Sequence, residues 1–269
     1  MDDLARARAA TLAMWRADAQ ARPRGDWADL PGVQVHTTGF PVPQWNGAFV
    51  HGALTAPVLR DVATWFAARG MPYGVLVPDG PAVALPGLTR TTTLPLMLRA
   101  LPAPTVALPD GYTLRADPSA GDLAAVSAEA FGDPYDVDLA FVRPLLRLPW
   151  NLVVAAYADG RPVACARAAV PGDVVGVFDV AVRTAHRGRG LGSAVTAAAL
   201  ALGTLAGGEL AYLNQSPAGH GTYARLGFRD APPWQVWSPS PERPGRPGQP
   251  DPDDTARAGD AQAPYDCGR

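Results

Sequence analysis

The chain has 269 residues, 48% of them hydrophobic and 18% charged, with a formal net charge of -2. That is enough apolar material for one large core or two modest ones, and it excludes a fibrous or wholly disordered chain. The near-neutral balance leaves no global footprint for nucleic acid or an anionic membrane, and two cysteines, Cys165 and Cys267, offer no disulfide framework.

Asp2 and Asp3 stand where an export signal would carry positive charge, and Arg6, Arg8 and Arg16 interrupt the apolar residues that follow. The cytoplasm is the expected address. Leu4, Ala7, Thr11, Met14 and Trp15 recur at helical spacing, and Val58, Val62, Trp65 and Phe66 repeat it between Pro57 and Gly70. Residues 74–77 read as a short strand stopped by Pro78, Asp79 and Gly80, and residues 94–98 as an edge strand because they include Pro95. Pro102, Pro104, Pro109 and the turn pair Asp110 and Gly111 then mark a seam. It separates an N-terminal α/β unit over 1–108 from a C-terminal unit over 109–238.

Past the seam the pattern predicts a strand over 112–116, helices over 120–131 and 137–146, and strands over 152–157, 162–168 and 174–182. Asp159 and Gly160 form the turn between the first two of these last three. A Gly/Arg loop follows, then a helix with the stripe Leu191, Val195, Ala198, Leu202 and Leu205, a strand over 210–213, a short helix ending at Leu226 and a strand around 234–237. Polar Ser193, Thr196 and Thr204 inside the long weakly polar helix argue for a buried helix and against a membrane span. Residues 239–269 contain no Leu, Ile, Val or Phe and predict a disordered Pro/Gly-rich tail.

The loop carries the chemistry. Arg187, Gly188, Arg189, Gly190, Leu191, Gly192 and Ser193 join a Val-rich strand to an uncharged helix. Glycines let the backbone turn tightly and approach a ligand, the free N-H groups of the helix start point at it, and the helix end carries about half a positive charge. The arrangement predicts a diphosphate cradle, with Arg187 and Arg189 in reach of further phosphates. A Walker loop needs Lys and then Ser or Thr after its last Gly, which is missing here. A dinucleotide fingerprint wants Gly or Ala where Ser193 stands and an acid at the far end of the next strand, whereas Glu209 opens that strand.

Arg187, Gly190 and Gly192 resemble the Arg/Gln-x-x-Gly-x-Gly/Ala motif of the GNAT superfamily of N-acetyltransferases. Val180, Ala181 and Val182 look like the family's fourth strand, which receives the pantetheine arm. Ser216, Gly219, Tyr223, Arg225, Leu226, Gly227 and Phe228 resemble its second signature, with Ser216 in a slot where many members have Asn and Asn214 as a nearby substitute. The resemblance implies the α+β GNAT acyltransferase fold, a mixed and largely antiparallel sheet flanked by helices. It also implies acetyl-CoA as cosubstrate, bound at residues 180–182 and 187–193 and at Asn214 and Ser216, and direct attack on the thioester by a primary amine of a small molecule or a protein N-terminus. Tyr223 is the implied general acid. Asp179 is the candidate base, and strand alternation sets it on the side opposite Phe178 and Val180. No histidine pair has metal-ligand spacing, so no metal is expected. Rival readings are a sensor or scaffold that binds acetyl-CoA without turnover, and a nucleotide-dependent oxidoreductase. The N-terminal unit faintly repeats the C-terminal pattern without its loop, which suggests a degenerate half-copy whose Trp45, Asn46 and Gly47 wall an acceptor cleft.

Overall fold

A computed structural model describes residues 1–80 and 85–239. The N-terminal half contributes α1 (Asp3–Gln20), β1 (Asp26–Leu30), β2 (Val33–Thr37), β3 (Asn46–Val50), α2 (Ala56–Ala67), β4 (Gly74–Pro78) and β5 (Leu88–Ala100). The C-terminal half contributes β6 (Thr113–Arg115), α3 (Ala120–Phe131), α4 (Tyr135–Leu145), β7 (Asn151–Ala158), β8 (Arg161–Ala169), β9 (Val174–Val182), α5 (Leu191–Leu205), β10 (Leu210–Asn214), α6 (His220–Arg225) and β11 (Arg229–Pro239).

Local chemistry sets many of these boundaries. The Asp2 carboxylate accepts the Ala5 N-H at 2.7 Å and starts α1, and a capping box of Ser119 and Asp122 starts α3. Three strands, β1 to β3, were not expected. Their signal was present in Pro31 and Gly32, where Gly32 takes φ 73° as the third residue of a tight turn joining paired Leu30 and Val33.

All eleven strands form one sheet in the order β1-β2-β3-β4-β11-β5-β10-β9-β8-β7-β6. Each half repeats one unit. An antiparallel meander (β1-β2-β3 or β7-β8-β9) leads through a helix (α2 or α5) to a strand parallel to the meander's last member (β4 or β10). The halves then exchange strands. β5 pairs with β10, β11 pairs with β4, and β5 and β11 pair with each other at the centre. The irregular segment after β5 coincides with the expected seam, yet the sheet runs unbroken across both halves.

The strand around Pro95 is therefore central, and the edge-strand expectation is corrected. Pro95 is tolerated because both ladders lapse there. Pairing to β11 skips from Leu94 against Trp234 to Leu96 against Ala231, and pairing to β10 ends at Leu96.

Two layers of helices cover the sheet. On one face α5 sets Leu191, Val195 and Leu200 against Val175, Val177 and Leu213, and α2 sets Val58, Val62 and Phe66 against Val33, Val35 and Val75. On the other, α1 brings Ala7 and Met14 to Val174, Phe178 and Tyr212, while α3 and α4 bring Val126, Phe141 and Leu145 to Val153 and Ala155. Full burial of a side chain such as Met14 or Leu200 contributes about 1.5–3 kcal/mol. Leu205, expected on the buried stripe of α5, is 85% exposed because it sits in the helix's last turn, beyond the sheet. The expected tail lies outside the described residues except for Pro239, which ends β11.

Candidate active site

The loop between β9 and α5 is held open by its glycines. Gly188 has φ 75° and Gly190 φ 83°, conformations that cost an L-residue about 1–2 kcal/mol. Gly190 is the N-cap of α5 and brings no side chain to it. Among the described residues, nothing accepts a hydrogen bond from the N-H groups of residues 188–193, and the helical ladder begins with Ala194 N-H to Gly190 O at 3.1 Å. The matching helix in the N-terminal half is closed: the Thr55 hydroxyl accepts the Val58 N-H, and Pro57 removes another donor. The start of α5 leaves its amides without partners among the described residues, whereas the start of α2 is capped by its own residues.

The two arginines of the loop differ. Arg187 donates from its side chain to the Val182 and Ala130 carbonyls at 3.1 and 3.2 Å, tying β9 to the end of α3, and its backbone N-H donates to the Thr184 carbonyl at 3.3 Å. Arg189 is exposed and donates to the Tyr112 hydroxyl at 3.2 Å, which is also 3.0 Å from His186 Nδ1.

Below the loop the sheet opens. Parallel pairing of β9 with β10 runs from Val174 against Leu210 to Val177 against Leu213 and stops. On its other side β9 bulges: Phe178 faces Arg167 and Ala181 faces Cys165, leaving Asp179 and Val180 opposite Ala166 alone. Asp179 takes φ 54° at this bulge, a conformation Asp tolerates better than most residues. The expected alternation fails for Phe178 and holds for Val180. Phe178 and Asp179 border the same cavity, while Val180 and Val182 pack towards α5.

Asp179 belongs to a buried charge cluster. Arg167 donates to it at 2.7 Å and to Asn151 Oδ1 at 3.0 Å, and lies 3.8 Å from Asp18 on α1. Burial pushes the Asp18 carboxyl up to about 6, only partly offset by Arg167 and Arg22. A raised carboxyl favours the protonated folded state, so its stabilising contribution is full below the ordinary value of 3.8 and is lost as pH rises through about 6. Through this group the protein is expected to lose on the order of 2–3 kcal/mol between pH 4 and pH 8, and Asp18→Asn to flatten that slope. Urea melts of both proteins at the two pH values check this; parallel slopes would contradict it. Cys165, expected to be a core residue, is buried, its Sγ 3.5 Å from the Asp179 carbonyl, and burial pushes its thiol up to about 12.

Tyr223 lies on α6, edge-on to Phe228, with only 8% of its surface exposed. Its hydroxyl has no hydrogen-bond partner among the described residues, and burial pushes it up to about 12. Gly219 is required for this packing, since a Cβ there would sit 2.8 Å from the Tyr223 ring. Ser216 accepts the Gly219 N-H at 3.0 Å in the turn that leads into α6. Asn214 faces the other side of the sheet, where it donates to the Pro95 carbonyl at 2.9 Å and borders the cavity.

That cavity, about 210 Å³, lies between the halves. Trp45, Asn46 and Gly47 all border it, as does Phe141, whose ring centroid is 4.2 Å from that of Trp45. The Asn46 carboxamide is consumed by Thr37, Thr38, Phe40, Val42 and Pro72, so it shapes the wall without offering a free group. His36, Arg167 and Phe141 also border the cavity and were not singled out from the sequence. A histidine in the alternation of Val33, Gln34, Val35 and His36 was the available signal for the first. Among the described residues no group of three or more His, Cys, Asp or Glu is placed to hold a metal, and no helix is long and apolar enough to cross a membrane.

The open amides at the start of α5 thus stand beside a bulged strand that parts from its parallel neighbour. Residues 149–230 match the family model described as "Acetyltransferase (GNAT) domain", so the C-terminal half carries a GNAT acetyltransferase domain. Solved structures extend the likeness. A GCN5-related N-acetyltransferase from Kribbella flavida is 22% identical with TM-score 0.66, over 87% of this chain and 96% of that one. One from Sphaerobacter thermophilus is 16% identical with TM-score 0.58, over 77% and 76%. A tandem GNAT protein from the clavulanic acid biosynthesis pathway is 17% identical with TM-score 0.56, over 82% and 85%. At these identities the likeness establishes the fold. No curated protein matches the sequence.

Proposed function

We propose that the protein moves an acetyl group from acetyl-CoA to a primary amine, in the cytoplasm. The observation that carries this is the run of unpartnered N-H groups over residues 188–193 beside the point where β9 parts from β10. Gly188 to Ser193 hold the diphosphate, and Val180, Ala181 and Val182 line the slot for the pantetheine arm. The amine enters from the cavity side, past Asp179, and its nitrogen bonds to the thioester carbon as the carbon-sulfur bond breaks. Tyr223 protonates the departing thiolate.

A phenol near 12 stays protonated at working pH and is always a donor. Against a thiol near 8.5 in water the transfer is uphill, but a thiolate released in the same shielded site is desolvated too and binds its proton more tightly. Asp179, already held by Arg167, suits orienting the incoming amine and passing its proton to solvent. Tyr223→Phe is expected to lower kcat about a hundredfold with little change in coenzyme affinity. Thiol release across a panel of amines, with calorimetric coenzyme titration, checks it. Tight coenzyme binding with no release from any amine would favour the sensor reading.

We further read the N-terminal half as a degenerate copy of the same unit. Its support is the repeated topology together with the capped start of α2, which leaves no place for a diphosphate.

A further inference from the structure

The cavity holds a group that acyl transfer does not use. His36, on β2, is 2% exposed and stacked between Trp15 and Phe49, at centroid distances of 4.7 and 5.6 Å. Neither ring nitrogen has a partner among the described residues. Burial lowers its pKa to about 3, so the ring is neutral and offers one donor and one acceptor. Leaving a buried polar group unpaired is unfavourable, and such groups in native proteins are generally satisfied by something.

The space beside the ring indicates what satisfies it. The cross-strand neighbour of His36 is Gly47, whose φ is not in the left-handed region, so the glycine serves space and not backbone geometry. A Cβ there would lie 3.3 Å from His36 Cε1 and 3.0 Å from Leu76 Cδ1. From this end the cavity wall follows β3, β4, β11, β5 and β10 to Phe178 and Asp179 on β9. With strands about 4.8 Å apart, the cavity is long in that direction. At about 210 Å³ it is also narrow, below the roughly 300–1,000 Å³ of sites for drug-sized ligands. Between the ends its sheet wall is Leu76, Leu94 and Val236, with Asn214 tied to the Pro95 carbonyl; Asp133 borders it from the segment between α3 and α4, and the charge of Asp179 at the far end is met by Arg167.

We propose that the acceptor is an elongated primary amine, apolar along its middle, whose end remote from the amine carries one uncharged hydrogen-bonding group that pairs with His36. This rests on the acyl-transfer reading above and names its substrate class. Bulky polycations and compact amino acids do not match a narrow apolar passage with a neutral end.

The test uses the full chain, acetyl-CoA and matched series of linear alkylamines and ω-amino alcohols, followed by thiol release. At one chain length the terminal hydroxyl is expected to lower KM about tenfold relative to the alkylamine of equal length, and His36→Phe to erase that ratio. Gly47→Ala, which places a methyl group in the passage, is expected to shift the preferred chain to a shorter one and provides an independent check should the His36 variant fold poorly. Preference for spermidine or for α-amino acids over every chain in both series, or a hydroxyl advantage that survives in His36→Phe, would overturn the proposal while leaving acyl transfer intact. Absence of thiol release with every amine, despite coenzyme binding, would instead remove the acyl-transfer reading itself.

Discussion

Replacing Gly192 by Asp is expected to abolish coenzyme binding while leaving the fold as stable as before or more so. Gly192 is the second residue of α5, and a Cβ there meets only Val182 and Thr222 methyl groups, at 3.8 and 4.0 Å, so the side chain has room. Removing a helical glycine gains roughly 0.5–1 kcal/mol, and a carboxylate in the first turn about 0.3–1 kcal/mol more against the helix dipole. The same carboxylate competes for the free amides and repels a diphosphate, so affinity for coenzyme A should fall at least about a hundredfold. Gly192→Ala separates bulk from charge and should lose far less. Calorimetric titration and thermal melts of the three proteins read both effects. A Gly192→Asp protein that binds normally would place the diphosphate elsewhere.

Arg167→Met should be the most damaging single change to stability. It removes a fully buried cation and leaves Asp179 and Asp18 to share only Arg22, itself lowered to about 10 by burial. Breaking such a cluster from one side costs about 3–5 kcal/mol, which for a chain of this size lowers Tm by on the order of 10 °C. Adding Asp18→Asn to Arg167→Met should recover part of the loss, because it removes one of the stranded carboxylates. A double-mutant cycle in urea measures the coupling, and simple additivity would contradict it.

What was legible in the sequence follows the physics of short-range patterns. Helical stripes announced α1, α2 and α5, and a glycine loop between strand and helix marked where α5 starts, because each signal lies within a few residues. The pairing of β5 was hidden, since Pro95 marks an edge only if no neighbouring strand interrupts its own ladder, and the interruption at Pro232 and Pro233 lies far along the chain. That Asp179 shares a side with Phe178 was hidden for a similar reason: one extra residue at the bulge breaks the alternation between them, and no local motif marks it. The cavity draws on α1, eight strands and the α3–α4 region, so of its lining only the Trp45, Asn46 and Gly47 segment, Asp179 and Asn214 stood out in advance as site residues.

The most direct measurement is a titration of the 15N-labelled protein with coenzyme A, following the amide signals of Gly188, Gly190 and Gly192. Large downfield shifts at these three, with slowed hydrogen exchange and little change at the Thr55-capped start of α2, are the predicted result. Saturating coenzyme A that leaves the three glycine amides unmoved would contradict the account.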